Sequence, residues 1–313
     1  MDELDMLTGD IDLDEIVDID LDIDGGVMPP KNNKIALVDA DTVAYTACLN
    51  VEFETEVLPR EFYSDMEWDA IVNSPQYDEV EGVLYEIDPK QAVAKAQEKI
   101  NRILEKTGCK DVELHFSGNT GENFRFSVFP EYKSNRTGRS PAGLHQCKED
   151  LCKLYNGTIH TTWEADDAVV FLKETNPEKY ILCAIDKDVI NSIEGTHFNY
   201  YESALYKKEM KWVDVDRHTS LVWRYLQTLT GDKTDGIIGL HGIGPKKAEK
   251  ILANKYSHAE LWEAVCEAYV LKGRTRDEAL MNLNLVDMKL LVQDSEDTMP
   301  YIKLRTHEEL LNV

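Results

Sequence analysis

Positive charge is scarce in this sequence. Its 313 residues hold 34 Lys and Arg against 59 Asp and Glu, for a formal net charge of −25. A general polyanion binder carries a basic footprint, so the chain as a whole is not one. CxxC pairs are missing too: Cys48, Cys109, Cys147, Cys152, Cys183 and Cys266 stand apart, most of them in apolar stretches. That spacing excludes a zinc or dithiol motif and reads as reduced thiols in a cytosolic protein. No apolar run reaches the roughly eighteen residues of a membrane span. Residues 1–30 contain no Lys or Arg, the opposite of a signal peptide. The expectation is a cytoplasmic protein with no membrane partner, long enough for one large core or two smaller ones.

The acidity is uneven. Residues 1–30 contribute −11 of the net charge and the rest −14. The stretch GDIDLDEIVDIDLDIDGG alternates aliphatic and acidic residues. DxDxDG at Asp20–Gly25 imitates the start of an EF-hand loop, but its twelfth position is Lys31 rather than a bidentate Glu, which rejects that reading. At this charge density residues 1–33 read as a disordered acidic tail. The alternation leaves open a strand-forming peptide for a protein partner, or a DNA mimic that shields basic residues elsewhere. The body can still bind DNA if its basic groups are clustered, with an affinity sensitive to salt.

Beyond the tail the pattern alternates. In KIALVDADTVAY, Ile35–Val38 is a short buried strand that delivers Asp39 to its C-terminal end, where ligand crevices form in open α/β sheets. Residues 51–88 are acidic and irregular and receive no assignment. Asp88-Pro89 caps a helix whose apolar residues Val93, Ala96, Ile100, Ile103 and Leu104 recur at helical spacing, ended by Gly108. Val112–Phe116 is a second strand and Tyr180–Ile185 a third, delivering Asp186. The alternation predicts an α/β fold with a mainly parallel central sheet flanked by helices. Between the second strand and Glu164 lies an insertion near 120–163. It is basic early (Arg125, Lys133, Arg136, Arg139) and helical around Leu144–Leu154. From Val215 the chain reads as all helix: Leu221, Val222, Tyr225, Leu226 and Leu229 form a stripe, and Gly231 follows the C-cap. The expected division is 1–33, 34–214 and 215–313.

Carboxylates gather at four places, Asp39/Asp41, Glu164/Asp166/Asp167, Asp186/Asp188 and Asp232/Asp235, each at or near the end of a strand or helix. Carboxylates brought together resist ionisation unless cations neutralise them. Oxygen-only ligand sets suit Mg²⁺ or Mn²⁺. Between the first two groups lies the basic run FRFSVFPEYKSNR, Phe124 to Arg136. An acidic pocket beside a cationic strip points to chemistry on a phosphodiester. A separate phosphate site is offered by GIGPKKA, where Gly242 and Gly244 expose backbone N–H groups at a helix start and Lys246 and Lys247 add charge. Plainer readings stand beside these. Glu164 to Asp167 also complement the positive end of a helix starting near Ala165, Asp188 also suits an N-cap, Tyr132 also suits a core, and GIGPKKA also suits a simple turn.

Taken in order, VDAD at 38–41, FRxxxxPxYKxNR at 124–136, EADD at 164–167, DKD at 186–188 and GDxxDGIxGxxGIGxKxA at 231–248 carry a resemblance over roughly residues 34–255. The chain resembles the 5′-nuclease superfamily: phage 5′–3′ exonucleases, the 5′-nuclease domain of bacterial DNA polymerase I, and flap endonucleases. The resemblance implies a nuclease domain over 34–214, a helical arch built from the insertion, and a C-terminal helix–turn–helix DNA-binding region. It implies two divalent ions, Mg²⁺ or Mn²⁺, with Asp39, Glu164, Asp166 and Asp167 at the first. Asp186, Asp188 and Asp235 hold the second, and Asp232 supports it or binds through water.

By the same resemblance Lys133 and Arg136 act on the scissile phosphate, and if their segment is helical they share a face. Arg125 contacts the adjacent phosphate or braces the helix, and Tyr132 stacks on an unpaired base. Gly242, Gly244, Lys246 and Lys247 bind duplex, with a monovalent cation at that element. Asp41 has no counterpart in most relatives. Ser117 stands where the family usually has an Asp. The implied activity is a divalent-metal-dependent 5′–3′ exodeoxyribonuclease leaving 5′-phosphates, with flap endonuclease and primer-RNA removal roles in phage DNA replication, in host cytoplasm. Its substrates would be DNA with a free 5′ end, nicked or flapped duplex, and RNA primer–DNA hybrid. The alternatives are a flap endonuclease with little exonuclease activity and a DNA-binding scaffold that has lost catalysis.

Overall fold

Successive side chains of a strand point to opposite faces of its sheet, so a strand clad on both sides reads as unbroken apolar sequence. The segment IALV does so, and it runs down the middle of the central sheet. The computed structural model describes residues 33–118, 120–295 and 298–311. The acidic tail and the readings attached to it lie outside the described residues. The central sheet consists of β1 (Ile35–Asp39), β2 (Asp111–Ser117), β3 (Thr158–His160), β4 (Tyr180–Ala184), β5 (Gly195–Asn199) and β6 (Lys211–Val215), in the order β3-β2-β1-β4-β5-β6. Every neighbouring pair is parallel except β5 with β6. The mainly parallel sheet read from the sequence is therefore present, extended by two strands on the far side of β4.

The principal helices are α1 (Asp41–Leu49), α2 (Pro89–Thr107), α3 (Leu144–Tyr155), α4 (Ala165–Thr175), α5 (Arg217–Thr230), α6 (Pro245–Leu252), α7 (His258–Leu271) and α8 (Arg276–Val286). Helix α2 begins and ends as its sequence requires. The Asp88 carboxylate accepts from Lys90 N–H at 2.9 Å, Pro89 occupies the first turn, and Gly108 takes φ 71° at the C-cap. Helices α1, α2 and α3 cover one face of the sheet, burying Val38, Ala44, Ile100, Leu114, Phe116 and Leu151 together. Helix α4 covers the other, packing Val169 and Val170 against Leu37 and Leu182.

The unassigned segment 51–88 forms a small antiparallel sheet of Phe53–Glu56, Val83–Glu86 and Tyr77–Asp78, with a helix at Asp65–Val72. Phe53–Glu56 is exposed along its whole length, which removes the apolar alternation that would have marked it. Arg139 fastens this sheet to the body: it pairs with Glu52 at 2.5 Å and lies 3.4 Å over the Tyr85 ring.

The insertion near 120–163 differs from a continuous helical arch. It holds one helix of four residues, Arg125–Val128, then turns, then α3. Pro130 explains the break, because the residue before a proline is driven from helical angles, and Phe129 is extended at φ −144°, ψ 101°. Lys133 takes a left-handed φ of 57°. The expectation that Lys133 and Arg136 share a helical face is thus corrected: they lie on a turn.

Helices α5 to α8 enclose a further core around Tyr225, Leu229, Leu261, Trp262, Val265 and Leu283. Between α5 and α6 the chain forms a hairpin, Gly231–Asp232 paired with Ile237–Ile238. Its base requires glycine on both sides. A Cβ at Gly231, itself at φ 74°, would sit 2.3 Å from the Gly239 nitrogen, and one at Gly239 would sit 2.2 Å from the Thr230 carbonyl carbon. Among the described residues no helix is long and apolar enough to cross a membrane.

Candidate active site

Parallel strands deliver their C-terminal ends to one edge of the sheet, and the carboxylates gather there. Asp39 ends β1. Two residues beyond β4, Asp186 caps the helix Lys187–Asn191, accepting from Asp188 N–H at 2.7 Å. The N-cap role considered for Asp188 belongs to Asp186. Glu164 caps α4 and Asp166 lies in its first turn. The 231–238 hairpin brings in Asp232 and Asp235.

A cavity of about 80 Å³ joins them. Glu164, Asp166, Asp186, Asp188, Asp232 and Asp235 line it, with Tyr132, Lys133 and Arg136. Asp39 is buried beside Asp166, and its Oδ1 has no hydrogen-bond partner.

Burial, with Asp41 and Asp186 close by, raises the Asp39 carboxyl to about 7. Asp166 is driven well up by burial and then by Asp39 and Asp186. Burial followed by Asp186 and Asp232 does the same to Asp188, and burial followed by Asp235 raises Asp232. Asp186 reaches solvent at the cavity mouth, yet surrounding protein desolvates it enough to raise it, and Asp232 and Asp235 add to the effect.

Two carboxylates already have cations. Lys133 Nζ donates to Glu164 at 2.5 Å and lies 3.6 Å from Asp235, and Arg136 donates to Asp235 at 2.5 Å. Burial pushes Glu164 up, but Lys133 and Arg125 outweigh it and hold Glu164 down at about 2. The strip is bolted to the hairpin by its backbone: Lys133 N–H donates to the Asp235 carbonyl at 2.9 Å, and Asn135 donates to the Lys233 carbonyl at 2.7 Å. Those bonds hold Lys133 in the left-handed conformation that non-glycine residues seldom adopt.

The sequence readings need several corrections. Asp167 is wholly buried and turned from the cavity, with both oxygens on Arg125 and one also accepting from Glu164 N–H at 3.0 Å. Its role is the plainer one at the start of α4, not that of a metal ligand. Arg125 borders the cavity but is 2% exposed and spends its donors on Asp167 and the Leu285 carbonyl, which is the bracing role rather than the phosphate contact. Tyr132 is likewise 2% exposed, which rules out stacking on a base. Its hydroxyl donates instead to Asp235 at 2.7 Å and reaches Glu164 at 3.1 Å, bridging two carboxylate groups.

Ser117 is also committed. Its hydroxyl accepts from Ala165 N–H at 3.0 Å, its N–H donates to Asp41 at 3.1 Å, and its carbonyl accepts from Lys148 at 2.9 Å. Lys148 completes this set with a 2.6 Å ion pair to Asp41.

Gly242 and Gly244 lie outside the cavity lining, in the surface turn before α6. Gly242 takes φ 74°, and space around both is open. Lys246 is exposed, while Lys247 donates to the Gly242 carbonyl at 2.7 Å.

Sequence reasoning missed Gln227, Tyr200 and Lys148. Gln227 lines the cavity with a buried Oε1 that has no partner; the sign was a glutamine beside the apolar stripe of α5. Tyr200 donates to the Asp39 carbonyl at 2.6 Å, and no motif marked it.

Among the described residues no three His, Cys, Asp or Glu side chains form a finished metal site. The donor set nonetheless fits a hard divalent cation. Asp39, Asp166, Asp186, Asp188 and Asp232 are all-oxygen donors whose ionisation is disfavoured by burial and by one another, the condition a bound cation relieves.

No protein-family model matches the chain. Flap endonuclease Xni of Shewanella sp. (strain MR-4) is 29% identical over 185 residues, spanning 53% of this chain and 68% of that protein. DNA polymerase I of Treponema pallidum (strain Nichols) is 28% identical over 144 residues, 41% of this chain and 14% of the polymerase. Among solved structures, the bacteriophage T5 flap endonuclease in complex with DNA and metal ions superposes with a TM-score of 0.54 at 16% identity, covering 82% of this chain and 90% of that one. T5 5′-exonuclease with zinc bound gives 0.53 at 16%, with the same coverage. Fold and site together define an α/β protein with a carboxylate pocket at the C-terminal edge of a mainly parallel sheet. In sequence relatives and in fold alike, the chain is similar to the 5′-nuclease superfamily.

Proposed function

We propose that the chain is a divalent-metal-dependent 5′-nuclease acting on DNA, a 5′–3′ exodeoxyribonuclease with flap endonuclease activity that leaves 5′-phosphates. One observation carries this reading. Glu164, Asp166, Asp186, Asp188, Asp232 and Asp235 line one cavity with Lys133 and Arg136, and burial followed by neighbouring carboxylates raises Asp166, Asp186, Asp188 and Asp232. The names of the relatives agree with it.

Asp39, Asp166, Asp186, Asp188, Asp232, Glu164 and Asp235 would hold two ions, Mg²⁺ or Mn²⁺. Bound there, such ions supply Lewis acidity and neutralise charge on the attacking and leaving oxygens of an in-line displacement. The side chains do the rest. Tyr132 keeps Glu164 and Asp235 at a fixed separation. Lys133 and Arg136 would leave their carboxylates for the scissile phosphate, where charge develops during displacement. The open turn at Gly242 and Gly244, with Lys246, is a second phosphate contact, on the duplex arm.

In this reading residues 34–214 form the nuclease domain and 215–313 the duplex-binding region, with α5 to α6 as its helix–turn–helix and a monovalent cation at the turn. The insertion near 120–163 takes the place of an arch over the 5′ end. Removal of primer RNA during phage replication is the proposed setting, within the cytoplasm.

The test is incubation with 5′-labelled duplex, nicked and flapped DNA in Mg²⁺ and again in EDTA. Mononucleotides released only with metal support the exonuclease, and short oligomers the flap endonuclease. DNA bound and left intact in both conditions overturns the reading.

A further inference from the structure

A second cavity, of about 100 Å³, lies against the first, with Ile237 and Leu285 as the shared wall. The chain from Phe129 to Arg136 runs along both: Phe129 lines the second, and Tyr132, Lys133 and Arg136 line the first. Ile237 pairs in register with Asp232, so the dividing wall stands opposite one of the first cavity's acids on the hairpin. The cavity lined by Lys133 and Arg136 therefore adjoins this second space at Ile237 and Leu285.

Its lining has two characters. One end offers the Phe129 ring and the Met281 thioether, a flat and a polarisable apolar surface. The other end offers Arg274 and the Glu278 Oε1, side by side in a 3.0 Å ion pair, while the Glu278 Oε2 caps α8 by accepting from Thr275 N–H at 2.7 Å. Asn282 also lines the cavity, both amide hydrogens donated, to the Ile238 carbonyl and the Tyr269 hydroxyl at 2.8 Å each, which leaves its Oδ1 as the acceptor. Ile238 stands at the rim and is 77% exposed, a large apolar side chain that its own fold leaves uncovered. A planar ligand with a hydrogen-bonding edge matches such a lining, and a nucleobase is one.

We propose that this second cavity is a nucleobase site, which takes the unpaired base of the nucleotide whose phosphate occupies the carboxylate pocket. The face of the base lies on Phe129 and Met281, and its edge meets Arg274, Glu278 and Asn282. Seating the base there turns its phosphate toward Lys133 and Arg136. Stacking on Phe129 and Met281 is open to any base, so the site recognises an unpaired nucleotide before a particular base. The proposal rests on the nuclease reading above.

The experiment compares flapped DNA with the same DNA lacking one base at the nucleotide beside the cut. Affinity is measured in Ca²⁺ and cleavage in Mg²⁺, for wild type, Ile238→Ser and Phe129→Leu. Ile238 is exposed, so its variant keeps the fold, and circular dichroism checks the Phe129 variant. Base removal should weaken wild-type binding about tenfold, the scale of one lost base–aromatic stack. Each variant should lose a similar factor on intact DNA and nothing further when the base is removed. Indifference of wild type to the missing base overturns the site, and so do losses that multiply in the variants. Cleavage that ignores the base would sink this inference and leave the nuclease reading standing. Coupled losses in Ca²⁺ from a chain that cuts no DNA in Mg²⁺ would do the reverse.

Discussion

Arg125 and Asp167 face each other through two hydrogen bonds of 2.7 Å, Nη1 to Oδ2 and Nη2 to Oδ1, with neither side chain reaching solvent. The Arg125 Nε donates to the Leu285 carbonyl at 2.9 Å, so the pair ties the start of α4 to the end of α8. Asp166 projects from that same turn of α4 toward the cavity. Two neighbouring acids in EADD thus do opposite work, one holding the frame and the other facing the pocket.

Asp167→Ala should cost about 3–5 kcal/mol of stability, because it strands a buried guanidinium. Urea denaturation measures it. The paired change Arg125→Met with Asp167→Leu should recover much of the loss, since no charge is left unpaired. A stable Asp167→Ala protein with weakened divalent-cation binding would return Asp167 to the ligand set.

Asp186→Asn should abolish cleavage and leave DNA binding intact or tighter, since it removes one negative charge near the phosphate. Rates on labelled flapped DNA decide it. Retention of more than about a tenth of the wild-type rate, roughly 1.4 kcal/mol of barrier, would mean Asp186 holds no catalytic ion.

The raised carboxylates give metal-free protein an unusual pH dependence. Asp39 rises from its ordinary 3.8 to about 7 in the fold. Its contribution to stability is therefore complete below its unfolded value and lost as pH rises through 7. Asp166, Asp186, Asp188 and Asp232 shift the same way. Glu164, held at about 2, behaves oppositely: its contribution is present above its ordinary 4.5 and lost as pH falls through 2. In EDTA, Asp39→Asn should raise Tm at pH 8 and give no gain near pH 4. Mg²⁺ should raise wild-type Tm more at pH 8 than at pH 5, because the ligands must shed protons to bind it. A metal-induced shift independent of pH would show that these acids are not its ligands.

Much of this was legible in the sequence, for identifiable reasons. IALVD and YILCA are buried on both faces and read as apolar runs, so their strands, and the acids just beyond them, were placed correctly. Helix α2 announced itself through Asp88-Pro89 and Gly108. The 51–88 sheet left little signal because Phe53–Glu56 is exposed throughout and Val83–Tyr85 is only half-buried. Tyr132, Arg125 and Asp167 were misjudged because a motif fixes which residues occur together, not which of them face a cavity. That is decided by contacts across 32 to 160 positions, such as Tyr132 with Glu164 and Arg125 with Leu285.

Replacing Lys246 and Lys247 with Ala should weaken binding to duplex more than to single strands, and flatten the salt dependence by about one unit per lost phosphate contact. Fluorescence anisotropy at several salt concentrations reads both. Lys247 closes its own turn by donating to the Gly242 carbonyl, so Lys246→Ala alone is the cleaner variant. Equal losses on both substrates would place these lysines away from the duplex.

Lys133 and Arg136 are expected to oppose metal binding while assisting chemistry. Each occupies a carboxylate of the cavity at 2.5 Å, Lys133 on Glu164 and Arg136 on Asp235, so a divalent cation claiming those oxygens must displace them. Once displaced, both are free for phosphate, where their contacts strengthen as charge builds in the transition state. Lys133→Ala and Arg136→Ala should therefore tighten Mn²⁺ binding in the absence of DNA, measured by calorimetry. The same variants should lower the maximal cleavage rate by at least about a hundredfold, while changing DNA affinity little. The two signs together are diagnostic, because a residue that merely held the fold would weaken metal binding and cleavage alike. If Mn²⁺ binds more weakly to both variants, the cations support the ligand set rather than compete for it, and if only the substrate requirement rises, they bind DNA without acting on the reaction.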